Sequence, residues 1–134
     1  MPSAQALKEK WAMKTLTEHQ INECNQAITI TADEPNPQNG NASHHYEITV
    51  HSKDGDTVQR ISFQDGPIRE VGTNGITPEV LLAILIDHLR GFQSSQFSCR
   101  ENAIALTKLE EATHWLHSRT RARVARGVEG THEK

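Results

Sequence analysis

The stretch ITPEVLLAILIDHLRG, residues 76–91, decides the architecture. Thr77 offers a hydroxyl N-cap, Pro78 takes the first helical position, where its missing N–H costs nothing, and Glu79 lies near the positive end of the helix dipole. A helix therefore starts here. From Val80 to Ile86 the run is apolar without a break, so the helix is apolar around most of its circumference and must be covered on several sides. Gly91 is the expected stop. Beyond it, Phe92 to Phe97 reads as a connection, and Ser98-Cys99-Arg100-Glu101 as a capping box that opens a second helix. Ala105, Leu109, Ala112 and Leu116 recur at steps of three or four and predict the buried stripe of that helix, which runs to about Arg126 and stops at Gly127. Residues 77–126 thus predict a helical hairpin.

Upstream of the hairpin the periodicity changes. DGPIREVGTNGIT (65–77) is dense in turn formers. Before it, Val58, Ile61 and Phe63 form one apolar alternation, and Tyr46, Ile48 and Val50 form another. Lys53-Asp54-Gly55-Asp56 between them predicts a hairpin turn, because Asp-Gly accepts positive φ. The alternation slips by one residue between Val58 and Ile61, which predicts a bulge near Gln59-Arg60. Ile28 and Ile30, alternating with Thr29 and Thr31, add a third strand, and the polar stretch from Pro35 to Ser43 reads as a mobile loop. Thr17 with Gln20 three residues later suggests a capping box for a helix somewhere in 4–26, and Met13 is an alternative start that would leave 1–12 as an extension. The expected fold is α+β: an antiparallel meander of at least three strands over 1–76, then a two-helix hairpin and tail over 77–134, together one compact unit.

Composition narrows the function classes. The chain has 134 residues, 35% of them hydrophobic, with three Phe, two Trp and one Tyr. That is a thin core for a self-sufficient domain, so a homo-oligomer, a dimer or larger assembly, is expected to complete it. Fourteen Lys+Arg against 17 Asp+Glu give a net charge of −3, which argues against binding a nucleic acid polymer. No apolar run is long enough for a membrane span, and MPSAQALKEKWA carries charges where a signal peptide needs an apolar stretch, so a cytoplasmic location is expected. Cys24 and Cys99 are too isolated for a disulfide framework or a zinc spacing.

Charge is unevenly spread, and this points to chemistry. Residues 112–128 hold Arg119, Arg121, Arg123 and Arg126 and no acid. Arg119, Arg123 and Arg126, at i, i+4 and i+7, share one helix face, where planar guanidinium forks suit the paired oxygens of phosphates. The competing explanation is plain complementation of the helix dipole by cations in the last turns. Phe92 in the connection is either a stacking platform for a base or a core plug. Glu111-x-x-His114 has the spacing of di-metal bundles, yet the aliphatic preceding helix offers no facing carboxylates, and a solvated face is the better account. His44-His45 is a weaker metal signal. No phosphate-binding glycine loop and no nucleophile with a base can be identified, so no catalytic residue, metal or cofactor is expected. The chain reads as a binder.

Longer strings carry a more specific signal. ISFQDGPIREVGTNGITPEVLLAILIDHLRGFQ (61–93) and ENAIALTKLEEATHWLHSRTRARVARGVEGTH (101–132) resemble the bacteriophage anti-Thoeris sponges of the first type. Their helical hairpin is shared with the phage anti-CBASS cyclic-nucleotide sponge. The likeness extends more loosely over NGNASHHYEITV (39–50) and leaves the first dozen residues uncovered. It implies a non-enzymatic protein that sequesters a cyclic ADP-ribose isomer made by a TIR-domain enzyme, in a pocket at a subunit interface. By the same resemblance Phe92 stacks on the adenine, Asn102 hydrogen-bonds the ligand, and Arg119 with Arg123 hold the pyrophosphate. Some family members form hexamers with separate sites for CBASS cyclic trinucleotides. A messenger-degrading enzyme and a purely structural hairpin protein are the alternatives from other classes.

Overall fold

The computed structural model describes residues 14–134. The elements run β1 (Lys14–Leu16), α1 (Glu23–Gln26), β2 (Ile28–Ala32), β3 (His45–Ser52), β4 (Gly55–Ser62), α2 (Ile68–Val71), α3 (Pro78–Gln93) and α4 (Arg100–Ala125). The fold is α+β, as expected. The chain divides into two compact units: the sheet with its loops through residue 66, joined by residues 73–75, and a helical unit of residues 67–72 and 76–134.

The sheet is a four-stranded antiparallel meander in the order β1-β2-β3-β4. Residues directly opposite one another share a face, so the register sorts the side chains. Ile28↔Val50, Ile30↔Ile48, Ala32↔Tyr46, Leu16↔Ile30 and Tyr46↔Ile61 place the apolar residues on one face, where Tyr46 also meets the ring of Phe63 edge-on at 5.7 Å. The other face is polar, with Arg60 paired to Glu47 at 3.3 Å and His51 paired to Asp56 at 3.1 Å. Here the expected bulge is overturned: β3 and β4 pair without interruption from His45↔Ser62 to Ser52↔Gly55. Val58 sits opposite Thr49 on the polar face, 46% exposed, and only its apolar character made the alternation look slipped. The tight turn also falls one residue early. Lys53-Asp54 form it, and Gly55, at φ +114°, already begins β4.

The N-terminal expectation fares less well. Thr17 caps no helix: its carbonyl accepts from the Gln20 N–H in an isolated turn, and the helix is a single turn, α1, capped by Asn22, whose side chain accepts from Asn25 at 2.7 Å. Lys14–Leu16, inside the range 4–26 in which a helix was expected somewhere, adds β1 to the sheet edge. The part of that range before residue 14 lies outside the described residues. The loop from Pro35 to Ser43 is tied down rather than loose. Asn36 bridges Ala42, and the Asn36 and Asn39 amides both donate to the Asp65 carboxylate. Asp65 is in turn held by Asn74, which accepts from the Asp65 N–H at 2.8 Å and donates to its carbonyl at 2.7 Å.

In the helical unit, Thr77 is the N-cap of α3 and Pro78 stands in its first turn. Gly91 does not stop this helix, however. It keeps a helical backbone, and the end comes at Ser94, whose N–H reaches the Arg90 carbonyl. A glycine ends a helix only where its positive φ is used, and Gly91 is not among the glycines with positive φ. At the start of α4 the cap is Cys99, not Ser98. The half-buried residues of α4 are Asn102, Leu106, Leu109, Thr113, Leu116, Thr120 and Arg123, in alternating steps of four and three, with Ser118 beside them; Ala105 and Ala112 are exposed. The expected stripe was therefore rotated, sharing only Leu109 and Leu116. On α3 the covered residues are Glu79, Leu82, Ile86, Leu89 and Gln93 in the same alternation, with Leu81 beside them. Two such seams at antiparallel-hairpin spacing pack α3 along α4. The opposite face of α3 is open: Val80 and Leu85 are exposed and Ile84 is 61% exposed. Among the described residues no helix is long and apolar enough to cross a membrane, and both cysteines are free and exposed.

Candidate ligand-binding site

The residues expected to hold a ligand fall into two groups at opposite ends of α4. At the connection end, Phe92 occupies the last turn of α3, 40% exposed, with its ring 5.2 Å from that of His88 in an edge-on arrangement. The next residue fixes the connection. The Gln93 side-chain amide donates to the Cys99 carbonyl at 3.2 Å and accepts from the Cys99 N–H at 3.1 Å. Asn102 follows in the first turn of α4, where its backbone N–H donates to Cys99 Sγ at 3.4 Å. Its carboxamide is uncommitted among the described residues. An aromatic face and an amide are thus held around one locked connection, the pair of groups that a purine base needs for stacking and for edge hydrogen bonds.

Arg119 and Arg123 lie near the other end. Seventeen residues separate Asn102 from Arg119, about 25 Å along the helix axis. One hairpin therefore does not bring the four residues together.

The two arginines also differ from each other. Arg119 is exposed, and no ion pair involves it among the described residues. The Arg123 side chain is 12% exposed and makes four hydrogen bonds. Its Nε donates to Glu129 Oε2 at 3.1 Å, Nη1 to the Glu133 carbonyl at 2.6 Å, and Nη2 to the carbonyls of Val128 at 3.0 Å and Thr131 at 3.1 Å. The shared face that i, i+4, i+7 spacing suggested is thus two outward cations, Arg119 and Arg126, with an occupied one between them.

The acceptors come from the tail that follows α4. Gly127, at φ +73°, donates to the Val124 carbonyl at 3.0 Å, and Val128 donates to the Arg123 carbonyl at 3.0 Å. This Schellman arrangement turns the chain back over the last helical turn. The legible signal was Glu129, an acid two residues beyond a helix-ending glycine and beside an arginine-rich turn.

The weaker metal candidates are engaged otherwise. Glu111 pairs with Lys108 at 3.6 Å, His114 meets the Trp115 ring edge-on at 5.5 Å, and His44 Nε2 contacts the Asn39 carbonyl at 3.0 Å. No set of three or more His, Cys, Asp or Glu side chains able to hold a metal ion gathers among the described residues.

Comparison with known proteins bears on the same part of the chain. Residues 55–121 match the model of the Acb2/Tad1 hairpin domain. A protein named Thoeris anti-defense 1, from Bacillus phage SBSphiJ7, is 58% identical over 74 residues. That match covers 55% of this chain and 52% of the relative, so the chain spans about half the length of the curated relative it matches. The family match contains β4, α2, all of α3 and α4 as far as Arg121, and so takes in Phe92, Asn102 and Arg119. With a matching hairpin fold, this places the chain in the Acb2/Tad1 hairpin-domain family.

Proposed function

We propose that this chain is a phage counter-defence protein that binds and sequesters a cyclic ADP-ribose-type signalling nucleotide without degrading it. It thereby keeps the messenger from the effector of Thoeris defence, in the cytoplasm of the infected host. The observation that carries this reading is the division of the site residues along α4. An aromatic and a free amide stand at one end, and arginines stand about 25 Å away at the other. Two hairpins laid antiparallel bring the arginines of one protomer beside Phe92 and Asn102 of its partner. A homo-oligomer thus assembles two equivalent pockets, each with a surface for the base and cations for the pyrophosphate. The exposed apolar face of α3 supplies an interface for such an assembly. The similarity to Thoeris anti-defense 1 supports the class of defence opposed. Sequestration requires a dissociation constant in the nanomolar range, about −12 kcal/mol, within reach of stacking plus charge-assisted bonds in a preformed pocket.

A panel of cyclic ADP-ribose isomers and cyclic di- and trinucleotides, read by thermal shift, tests the reading. At least one ADP-ribose isomer is expected to raise the melting temperature, and Arg119→Ala is expected to abolish the shift without changing the oligomer. No shift with any isomer overturns the proposal. A shift with trinucleotides that survives Arg119→Ala would assign a separate CBASS-type site.

One observation favours a degrading enzyme instead. On the polar sheet face Thr29 Oγ1 lies 3.0 Å from His51 Nε2, and His51 Nδ1 lies 3.1 Å from Asp56 Oδ1, a hydroxyl–imidazole–carboxylate chain. Heating the complex and recovering the nucleotide separates the two readings. Intact ligand is expected; a cleaved product, lost in His51→Ala, would establish the enzyme.

A further inference from the structure

We infer that Glu129 and the tail that carries it compete with the ligand's phosphates for Arg123, and so set the charge that a ligand must bring. The inference rests on the proposed binding site and concerns which ligands that site retains.

Arg123 has five N–H donors in a rigid fork. Four acceptors from residues 128–133 occupy Nε and both terminal nitrogens at 2.6–3.1 Å. A phosphate that takes this guanidinium bidentately needs the same donors, so the docked tail and a phosphate exclude each other at Arg123. The tail is not held by Arg123 alone. The Gly130 carbonyl accepts from the Arg69 N–H at 3.1 Å, and His132 pairs with Glu70 at 3.5 Å. Displacing it therefore has a real cost. Arg119, by contrast, is open and needs no displacement.

The consequence is a selection by charge. A neutral nucleoside offers nothing to exchange for the Glu129 carboxylate. A single phosphate diester replaces one anion by another, with little net gain. A pyrophosphate brings two charges, bridges Arg119 and Arg123 at i and i+4, and gains the second contact in full. Because the coupling is reciprocal, docking of the tail weakens the ligand by the same factor as the ligand weakens the docking.

The test uses the full chain, with a cyclic ADP-ribose isomer as the dianionic probe and adenosine 3′,5′-cyclic monophosphate as the monoanionic one, both measured by calorimetry. Glu129→Gln keeps the side-chain shape and removes the charge. It is expected to tighten the monoanionic probe about tenfold and the dianionic one about fivefold, and so to narrow the preference for the dianion about twofold. Gly130→Ala loosens the tail by a second route, since Gly130 stands at φ +81° and a Cβ there would lie 3.3 Å from Arg69 Cγ. It is expected to act in the same direction, which separates competition from a special effect of Glu129. In the unaltered protein, saturating ligand is expected to increase release of the last residues by carboxypeptidase. Unchanged or weaker binding in Glu129→Gln, or a tail equally protected with and without ligand, overturns the inference. If Arg119→Ala abolishes binding in that case, the site stands and only the competition fails. If Arg119→Ala binds normally, the site itself is wrong.

Discussion

Asp33 and Gly75 show how much of the sheet unit depends on single positions. Asp33 is buried; its carboxylate accepts the backbone N–H groups of His44 at 3.1 Å and His45 at 3.2 Å, while the Ser43 hydroxyl donates to the Asp33 carbonyl at 2.8 Å. One acid thus satisfies two part-buried backbone donors where the long loop enters β3. Gly75 is required for space rather than for conformation. A Cβ there would press on the Phe63 backbone, 2.6 Å from its carbonyl oxygen and 2.7 Å from Gln64 N. Neither neighbour is a flexible side-chain end. Gly75→Ala is therefore expected to cost about 1–3 kcal/mol and to lower the melting temperature measured by circular dichroism. An unchanged melting temperature would mean that the 73–75 segment shifts freely away from the sheet. None of this close approach was legible beforehand, because Asn74-Gly75 reads locally as one more turn.

At the scale of elements, the starts and stops of the two long helices show what local chemistry decides. Thr77-Pro78-Glu79 begins α3 at the expected place, although the Thr77 hydroxyl makes no capping hydrogen bond; the ring-fixed φ of Pro78 and the acid of Glu79 act within the first turn. The start of α4 is weaker than its sequence suggests. Cys99 takes the cap position, and its sulfur is a poor acceptor at 3.4 Å from the Asn102 N–H. Cys99→Ser is expected to stabilise the helical unit by about 0.5–1 kcal/mol, seen as a raised midpoint in denaturant. A lower midpoint would show that the thiol is needed for something other than capping. Gly91 carries the opposite lesson. The same residue type that ends α4 at Gly127 continues α3, because only Gly127 adopts the left-handed backbone. The buried stripe of α4 was misplaced for a related reason. Ala105 and Ala112 fit a helical period, but small residues fit any face, and the packing against α3 selects Leu106 and Thr113.

For the whole molecule, the outer face of α3 provides a test of assembly. Val80, Ile84 and Leu85 are exposed together on a helix that the sequence makes apolar nearly all round. If a second copy covers them, sedimentation of the unaltered chain will show a dimer or larger assembly. Ile84→Lys is then expected to shift it to monomer and to weaken ligand binding in parallel, since each pocket of the proposed assembly would draw residues from two protomers. An assembly unmoved by that substitution would place the interface elsewhere.

Whatever depends on neighbours a few residues away was legible in the order of the residues. The α+β class, the meander from Ile28 onward, the start of α3, the stop at Gly127 and the concentration of arginines near that stop all follow from local period, cap and charge. The tertiary structure decided the rest. It set the unbroken β3–β4 register, the addition of Lys14–Leu16 as an edge strand and the choice of stripe on α4. It also separated Arg119, open to an anion, from Arg123, already holding four acceptors of the tail. The physical reason is the same throughout. A residue type states which bonds it can make, and only the folded chain brings up the group that makes them.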